Sequence, residues 1–311
     1  MISFVLTLFG LDSLSAEWKG AVVVVGTFDG VHRGHAEVIA TAVRRARALE
    51  RPCVLATFDR HPAAVLAPER KPATLAHLSE NLERFAELGV AASLVLPFNA
   101  WLSRLSAESF LRDILVGALK AEELVVGHDF AMGNGREGNT EWLSRHIATT
   151  VVAPFELEGE RISSSQVRRL VAGGDMERAA AMLGRPFRIS GVVVGGQRLG
   201  RELGYPTANL ARAADQVLPP DAIYDAEAHT IYGQYRAALA IGTRPAAGGG
   251  PRSIEAYLLD YPGESLYGTA LSLDLHRLVR WEENFSSLEA LKDQIAKDVE
   301  AVRSGQRTSF A

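Results

Sequence analysis

The sequence predicts a two-part fold, α/β plus all-β, in which a doubly wound parallel sheet precedes a small antiparallel β-barrel with a C-terminal helix. In the first part, apolar strand-like runs alternate with amphipathic helical segments, as in parallel sheets covered by helices. After Gly184-Arg185-Pro186, short strand-like runs between glycine- and proline-rich turns replace that alternation. We therefore expect one domain over residues 1–184 and a second over residues 185–311.

The predicted strands of the first domain are apolar throughout, which is typical of strands buried on both faces. They are Ala21–Val25, Cys53–Phe58, Ala92–Phe98, Glu123–Gly127 and Thr150–Phe155. Segments with apolar residues at helical spacing lie between and after these strands. They predict helices at Ala36–Leu49, Ser79–Leu88, Ser106–Leu119, Ser165–Ala172 and Met176–Leu183.

The second domain carries short predicted strands separated by turns, a pattern that favours a small antiparallel barrel. The strands are Ile189–Val194, Ile223–Ile231, Tyr235–Ile241, Ser253–Tyr261 and Ala270–Leu278. The last segment, Ser287–Arg303, returns to helical spacing and predicts the C-terminal helix.

Composition excludes several classes of function. Of the 311 residues, 47% are hydrophobic and 23% are charged, which is typical of soluble globular proteins. A net charge of −4 without a basic stripe argues against nucleic acid or a membrane surface as a partner. The single cysteine, Cys53, lies in an apolar run, so no disulfide is expected within the chain.

No segment has the features of a targeting signal or a membrane span. The apolar opening residues lack a preceding basic region, and no apolar run approaches the roughly 20 residues of a spanning helix. We therefore expect a cytoplasmic protein. The sequence leaves the oligomeric state open, and a homo-oligomer is compatible with it.

The stretch Gly26-Thr-Phe-Asp-Gly-Val-His-Arg-Gly-His35 lies between a predicted strand and a predicted helix. A glycine-punctuated turn in that position presents backbone N–H groups and the positive helix end to phosphate. His32 and His35 can donate hydrogen bonds to a phosphate whose charge grows during reaction, and Gly34 keeps their surroundings free of a Cβ. A solvated pair of loop histidines is the alternative, and the context favours nucleotide chemistry.

Three further polar segments of the first domain follow predicted strand ends. Thr57–Pro62 places His61 in a turn, and Val126–Gly133 carries Asp129. Arg161–Arg168 places serines and two arginines at a helix start. The serines are equally explained as helix N-caps, whereas the flanking guanidinium groups suit a polyphosphate.

The second domain has its own polar constellation. In the glycine-rich segment 198–209, Thr207 and Asn209 lie on the same side of an extended chain. Two hard oxygen donors side by side suit Mg²⁺ that also keeps waters and nucleotide phosphates. A turn with a solvent-facing asparagine is the alternative, and Glu255 is likewise explained as the polar face of an amphipathic strand.

These motifs, taken together, resemble those of a known family. Gly-Thr-Phe-Asp-Gly-Val-His-x-Gly-His, Thr-Phe-x-x-His-Pro, Val-Gly-x-Asp-Phe-x-x-Gly and Arg-Ile-Ser-Ser-x-x-x-Arg are similar to the prokaryotic bifunctional riboflavin kinase/FAD synthetases. Gly-Tyr-Pro-Thr-Ala-Asn-Leu, Glu255 and Arg280–Phe285 resemble their riboflavin kinase module, so the resemblance covers nearly the whole chain. It implies a nucleotidylyltransferase domain that transfers AMP from ATP to FMN, followed by a six-stranded barrel that phosphorylates riboflavin.

The resemblance also implies roles for individual residues. His32 and His35 would stabilise the α-phosphate in flight, and Glu255 would deprotonate the riboflavin 5′-hydroxyl. Thr207 and Asn209 would bind Mg²⁺ together with the co-substrate ATP. The residues implied to shape or line the flavin and nucleotide sites are Gly26, Phe28, Asp29, Gly34, His61, Asp129, Arg161, Ser164, Ser165, Arg168, Gly200, Gly204, Pro206 and Arg280.

Departures from the family pattern keep an alternative open. Arg60 stands where proline is usual, and Ala131 and Met132 stand where Arg-Phe is common. The alternative is therefore a riboflavin kinase with a weakened or lost adenylyltransferase half. A flavin-binding regulator would not need the paired histidines together with Thr207 and Glu255. A nucleotidylyltransferase for another substrate would leave the barrel unexplained.

Overall fold

The computed structural model describes residues 6–14, 20–196, 199–212, 215–243 and 252–305. Contacts divide the chain into two compact units, Met1–Ser164 and Ser165–Ala311. Arg198, the first residue of the glycine-rich segment, lies outside the described residues. No helix within the described ranges is both long enough and apolar enough to cross a membrane.

The first unit is built on a parallel sheet. Its strands are β1 (Leu6–Phe9), β2 (Ala21–Val25), β3 (Cys53–Phe58), β4 (Ala92–Leu96), β5 (Ala121–Gly127), β6 (Ala131–Met132), β7 (Gly138–Asn139), β8 (Ala148–Val152), β9 (Glu156–Leu157) and β10 (Glu160–Arg161). Six of them form one sheet in the order β1-β4-β3-β2-β5-β8, in which all neighbours are parallel. The pairs β6–β7 and β9–β10 are small antiparallel ribbons. The sheet confirms the predicted class and adds β1, which the sequence analysis did not predict.

Helices cover the sheet as the alternation predicts. They are α1 (Arg33–Ala48), α2 (Ala63–Leu66), α3 (Leu78–Glu87), α4 (Ala107–Ser109, continued by a π-helical stretch Phe110–Ala118) and α5 (Thr140–His146). The central strand β2 is entirely buried and alternates between two apolar layers. Val24 packs in one layer with Ile39 of α1, whereas Val23 packs in the other with Ile114. Apolar helices on both faces are what a doubly wound sheet requires.

The order of the strands reverses at β2. From β2 the chain proceeds to β3 and β4 on one side, then returns to β5 on the other side. Parallel sheets bind ligands in the crevice at such a reversal, outside the carboxyl ends of the strands. The fold therefore marks the β2–β5 edge as the place for a site.

The second unit contains a barrel and helices that precede, interrupt and follow its strands. Helices α6 (Ser164–Gly173), which begins at the boundary, and α7 (Met176–Leu183) precede the barrel, α8 (Leu199–Glu202) lies between its first two strands, and α9 (Leu288–Ser304) follows it. The barrel strands are β11 (Phe187–Val194), β12 (Ala208–Ala211), β13 (Ala222–Thr230), β14 (Gly233–Gly242), β15 (Ser253–Leu258) and β16 (Ala270–Trp281). They close in the order β11-β12-β15-β14-β13-β16 with antiparallel pairing throughout. This confirms the predicted barrel, and α7 packs against its strands β11 and β16.

The C-terminal end of α9 is anchored to the outside of the barrel. Arg236 donates to the carbonyl of Val302 at 2.8 Å, and Arg277 donates to the carbonyl of Ala301 at 3.0 Å. Both guanidinium groups also bond the carboxylate of the buried Asp225. Positive charge at a helix C-terminus is favourable, so these contacts hold the last turn of α9 against the barrel.

A buried carboxylate ties α1 to the sheet in the first unit. Glu123 of β5 accepts two hydrogen bonds from Arg45 of α1, at 2.8 and 2.9 Å, and one from Thr150 of β8 at 2.6 Å. Its side chain is only 5% exposed. The hydrogen bond from Arg45 holds the pKa of Glu123 below its ordinary value. We call the Glu123–Arg45 contact a clamp, since it holds the C-terminal end of α1 to the sheet. The N-terminal end of the same helix carries the two predicted histidines.

Replacing Glu123 with glutamine removes the charge from this clamp and leaves Arg45 opposite a neutral amide. We expect Glu123→Gln to lower the free energy of unfolding by about 1–3 kcal/mol at neutral pH. The neighbouring Glu122 pairs with Arg51 in an ion pair that is nearly half exposed on both sides. Glu122→Gln is therefore the matched control, with an expected loss below about 1 kcal/mol. Chemical denaturation of both variants measures the difference.

The effect also has a defined dependence on pH. Because the pKa of Glu123 is lower in the folded than in the unfolded state, its carboxylate contributes full stability above the unfolded pKa. That contribution disappears as the pH falls through the folded pKa. The gap between the unmodified protein and Glu123→Gln should therefore shrink below about pH 4. Equal losses for the two variants at neutral pH would contradict the clamp.

Candidate active sites

The predicted site segments of the first unit leave the sheet at one edge. Gly26 follows β2, Asp59 follows β3 and Asp129 follows β5. Since these neighbouring strands are parallel, the three segments emerge at the same side. The N-terminus of α1, the positive end of its dipole, also begins there. The sequence motifs thus coincide with the reversal point of the sheet.

The loop that precedes α1 is shaped by close packing. Phe28 adopts a positive φ of 49°, and its ring lies over Gly26. A Cβ at Gly26 would sit 2.7 Å from the Phe28 ring. The same ring meets His35 edge-on, with centroids 5.3 Å apart. Gly26 and Phe28 therefore set the path of the loop and support the second histidine.

The two histidines form one unit at the start of α1. His32 is the N-cap of the helix, and its Nδ1 accepts the backbone N–H of His35 at 3.2 Å. The two imidazole rings stack with centroids 3.6 Å apart. Gly34 lies against them, because a Cβ there would be 3.2 Å from the His32 ring. The structure thus places both predicted catalytic imidazoles together at a helix N-terminus.

Asp29 and Ser164 hold this loop to its surroundings. The carboxylate of Asp29 accepts the backbone N–H of Leu75 at 2.9 Å and that of Ala76 at 3.3 Å. The hydroxyl of Ser164 donates to the carbonyl of Asp29 at 3.1 Å. The first and fourth motifs are therefore in contact. These bonds assign Asp29 a loop-shaping role.

The third and fourth motifs also meet. The carboxylate of Asp129 is ion-paired with Arg161, although the two residues are 32 positions apart. Ser165 and Arg168 lie on α6 in the second unit, and the geometry of the first unit does not test their predicted role.

The segment after β3 is organised by local bonds. The Nδ1 of His61 accepts the backbone N–H of Ala63 at 3.1 Å, at the start of α2. Arg60 donates two hydrogen bonds to its neighbour Asp59, whose carboxylate also accepts the N–H of Phe98. The guanidinium of Arg60 is therefore engaged by an adjacent carboxylate.

An apolar wall at this edge was missed by the sequence analysis. Phe58, Phe98 and Phe130 end or follow β3, β4 and β5, and all three are partly buried against the core. The rings of Phe58 and Phe98 meet edge-to-face with centroids 5.2 Å apart. Aromatic residues at or just after the ends of three strands of the same parallel sheet were the available signal, with β3 and β4 adjacent and β5 separated from them by β2. They give the edge a surface suited to a flat ring system.

The barrel brings its three predicted residues together. Asn209 of β12 lies directly opposite Glu255 of β15, so their side chains project to the same side. The hydroxyl of Thr207 donates to one carboxylate oxygen of Glu255 at 3.2 Å, and Ser253 donates to the other at 3.2 Å. Two hydroxyl donors thus orient the carboxylate beside the amide.

Glycines make room around this constellation. A Cβ at Gly196 would lie 2.3 Å from the side-chain nitrogen of Asn209. A Cβ at Gly200 would lie 2.4 Å from the carbonyl oxygen of Tyr205 and 3.4 Å from the hydroxyl of Thr207. Gly204 has a φ of 90° at the turn between α8 and the strand. The glycine-rich segment therefore wraps closely around Thr207 and Asn209.

Two cavities border the constellation. The larger, of about 630 Å³, lies between the barrel and the N-terminal half of α9; its lining includes Thr207, Glu255, Tyr257, Phe285, Leu288, Leu291 and Ile295. The smaller, of about 420 Å³, is lined among others by Arg201, Pro206, Thr207, Tyr257, Tyr261 and Tyr267. Thr207 and Tyr257 border both cavities, whereas Glu255 borders the larger one and is bonded to Thr207.

Arg280 borders the larger cavity and contacts other residues that line it. Its guanidinium donates two hydrogen bonds of 2.8 Å to Asp298 of α9, whose side chain is buried. It also lies 5.5 Å from the ring centroid of Phe285 and 3.4 Å from the carboxylate of Glu283. These contacts connect β16, the segment after it and α9. A direct contact between Arg280 and a ligand stays a prediction.

The donor set of the barrel limits what kind of metal it could hold. Among the described residues, no group of three His, Cys, Asp or Glu side chains is arranged as a metal cage. Thr207, Asn209 and Glu255 instead present neutral and charged oxygen atoms at one place. Such a set fits a hard cation that takes its remaining ligands from water and phosphate.

Comparison with known proteins covers both units. The family model for FAD synthetase matches residues 14–166, and that for riboflavin kinase matches residues 183–305. A bifunctional riboflavin kinase/FMN adenylyltransferase of Pseudomonas fluorescens is 39% identical over 94% of this chain and 96% of its own length. Its counterpart in Escherichia coli K12 is 37% identical over 93% and 94%.

A solved structure agrees in fold over the same extent. A crystal structure described as a macrolide-efflux protein from Streptococcus pneumoniae superimposes with a TM-score of 0.87 and 27% identity, covering 96% of this chain and 99% of that one. Two family models match in succession, and the relatives align over more than nine-tenths of both chains. The chain belongs to the bifunctional riboflavin kinase/FMN adenylyltransferase family.

Proposed function

We propose that this chain converts riboflavin to FAD in two ATP-dependent steps, with one active site in each unit. The barrel phosphorylates riboflavin to FMN, and the α/β unit transfers AMP from ATP to FMN. The observation that carries the proposal is that one chain assembles both Thr207 with Glu255 in the barrel and His32 with His35 at a helix N-terminus. We further propose that the functional boundary is Gly184, where α7 ends.

The adenylyl transfer needs no protein nucleophile. A phosphate oxygen of FMN attacks the α-phosphorus of ATP, a new P–O–P bond forms, and pyrophosphate leaves. Charge on the α-phosphate oxygens increases in the transition state, next to the stacked imidazoles and the positive end of α1. Catalysis at this site therefore acts by position and electrostatics.

The acceptor flavin is expected at the carboxyl ends of the strands on either side of β2. The partly buried rings of Phe58, Phe98 and Phe130 offer the flavin ring system an apolar wall there. The arginine of the fourth motif, Arg161, lies beside β5 through its pair with Asp129. Guanidinium groups suit the pyrophosphate that forms and leaves.

The kinase step uses the carboxylate that borders the larger barrel cavity and is bonded to Thr207, which borders both cavities. Glu255 accepts the proton of the riboflavin 5′-hydroxyl, whose oxygen attacks the γ-phosphorus of ATP while ADP leaves. The larger cavity has the apolar wall that the flavin ring requires, and the smaller one takes the nucleotide. Thr207 and Asn209 would hold Mg²⁺, which neutralises phosphate charge when bound.

The two active sites can be separated by mutation. In His32→Asn the amide keeps an N-cap for α1 but removes the imidazole, so the helix is retained while phosphate stabilisation is lost. We expect FMN adenylylation to fall at least about 100-fold while FMN formation from riboflavin is unchanged. Product analysis over time with riboflavin, ATP and Mg²⁺ would show FMN accumulating. Retained FAD formation would exclude the proposed role.

The reciprocal variant is Glu255→Gln, which keeps a hydrogen-bond acceptor for Thr207 but cannot take up the proton. We expect phosphorylation of riboflavin to fall at least about 100-fold, whereas supplied FMN is still adenylylated.

The unmodified protein tests the alternative in which the adenylyltransferase activity of the first unit has been lost. If it releases no pyrophosphate from FMN and ATP, the chain is a riboflavin kinase alone.

A pair of adjacent glycines tests the metal-binding position. A Cβ at Gly196 would overlap the Asn209 amide, whereas a Cβ at Gly195 meets nothing within 4 Å. We expect Gly196→Ala to displace the amide and lower kinase activity by about tenfold or more, raising the Mg²⁺ concentration needed for half-maximal rate. Gly195→Ala should leave both quantities unchanged. Similar behaviour of the two variants would show that the position of Asn209 does not matter.

A further inference from the structure

One basic residue beside the first active site has no role in the proposal so far. Arg136 lies in the turn of the β6–β7 ribbon that follows β5. Its NH2 group donates a hydrogen bond of 3.1 Å to the carbonyl oxygen of Asp129. The carboxylate of the same Asp129 binds Arg161. Two guanidinium groups from distant parts of the chain therefore converge on one residue at the crevice.

The backbone holds Arg136 in a conformation that L-residues rarely adopt. Its φ is 60°, in the left-handed region, and a non-glycine residue there is retained only where the surrounding structure imposes it. The neighbouring Gly133 and Gly135 have φ values of 78° and 65°. The turn thus folds back sharply and directs the arginine to the end of β5.

The ribbon that carries Arg136 is fixed to the rest of the unit. A Cβ at Gly133 would lie 2.4 Å from the backbone nitrogen of Ala107, so the two backbones touch. The carboxylate of Glu137 accepts that same N–H at 2.8 Å, and the N–H of Asn134 donates to the carbonyl of Leu105 at 2.8 Å. The backbone that carries Arg136 is therefore held in place before a ligand binds. Less conformational entropy of the loop is then lost on binding.

The guanidinium of Arg136 faces solvent beside Asp129, a residue that two arginines contact. Asp129, Arg136 and Arg161 all have exposed side chains, whereas the neighbouring carboxylate of Glu137 is bonded to the backbone N–H of Ala107. Within the described residues, the Asp129 carbonyl is the one acceptor bonded by the Arg136 side chain, which has further N–H groups to offer. A planar fork of donors beside a solvent-facing crevice suits a phosphate group.

Its position assigns this anion to the flavin substrate. The imidazoles and the α1 N-terminus occupy the β2 side of the crevice, whereas Arg136 lies on the β5 side, on the ribbon that follows Phe130 of the apolar wall. A flavin ring that packs on Phe130 would have its phosphate chain next to this ribbon, because Phe130 immediately precedes it in the chain. Arg136 supplies a positive charge there.

We propose that Arg136 is a substrate-binding residue of the adenylyltransferase site and holds the attacking phosphate monoester of FMN. This inference rests on the proposed adenylylation of FMN and extends it to the residue that recognises the acceptor.

The test compares substitutions at Arg136 in the full-length protein. Asparagine tolerates a positive φ, so Arg136→Asn removes the guanidinium while the turn is kept. We expect it to raise the KM for FMN by about tenfold or more while the KM for ATP changes less than about twofold. Arg136→Lys keeps the charge but not the fork and should recover part of the loss. Arg145→Ala, which removes an exposed arginine paired with Glu141 on α5, is the control and should change neither constant.

The kinase activity of the barrel is the internal control for these variants. Phosphorylation of riboflavin by the barrel should be the same in all variants. An unchanged KM for FMN, or an equal rise in the KM for ATP, overturns the assignment of Arg136 while leaving the adenylyltransferase activity in place. If the unmodified protein releases no pyrophosphate from FMN and ATP, the proposed function fails and the inference fails with it.

Discussion

Parallel pairing of β2 with both β3 and β5 is the constraint on which the first active site depends. It sends the loops after three strands to one edge and starts α1 at the point where the strand order reverses. The role in phosphate chemistry that we propose for the imidazoles of His32 and His35 depends on that position. The Glu123–Arg45 clamp then holds the other end of the helix to the sheet.

The barrel also brings its site residues together through strand pairing, but within an antiparallel sheet. Here the register between β12 and β15 places Asn209 opposite Glu255, and Thr207 completes the group by a hydrogen bond. Helix α9 closes the apolar cavity with its N-terminal half, while Asp225 and its arginines fix its last turn. The site is thus formed between a rigid strand pair and a helix anchored at its far end.

The two sites would use ATP differently. One transfers the terminal phosphate to a hydroxyl and therefore needs a proton acceptor, for which we propose Glu255. The other transfers the nucleotidyl group to a phosphate, where the attacking oxygen is already ionised and no base is required. The proposed roles follow this difference, since they assign a carboxylate to the barrel and imidazoles and guanidinium groups to the sheet.

The sequence by itself determined most of the elements and the identity of the polar residues. Strands β2 and β3 and helix α7 have the predicted bounds, because an uninterrupted apolar run and helical spacing are local properties of the chain. Alternation along a strand also sufficed to place Thr207 and Asn209 on one side.

Only the tertiary structure decided which distant residues meet. The pair of Asp129 with Arg161, the aromatic wall, and the place of Glu255 depend on strand order, and β12 pairs with β15 rather than with its successor in sequence. Periodicity reports which face a residue occupies and carries no information about which strand lies next to it. That choice is made by the packing of the whole sheet or barrel, since many orders satisfy the same local pattern.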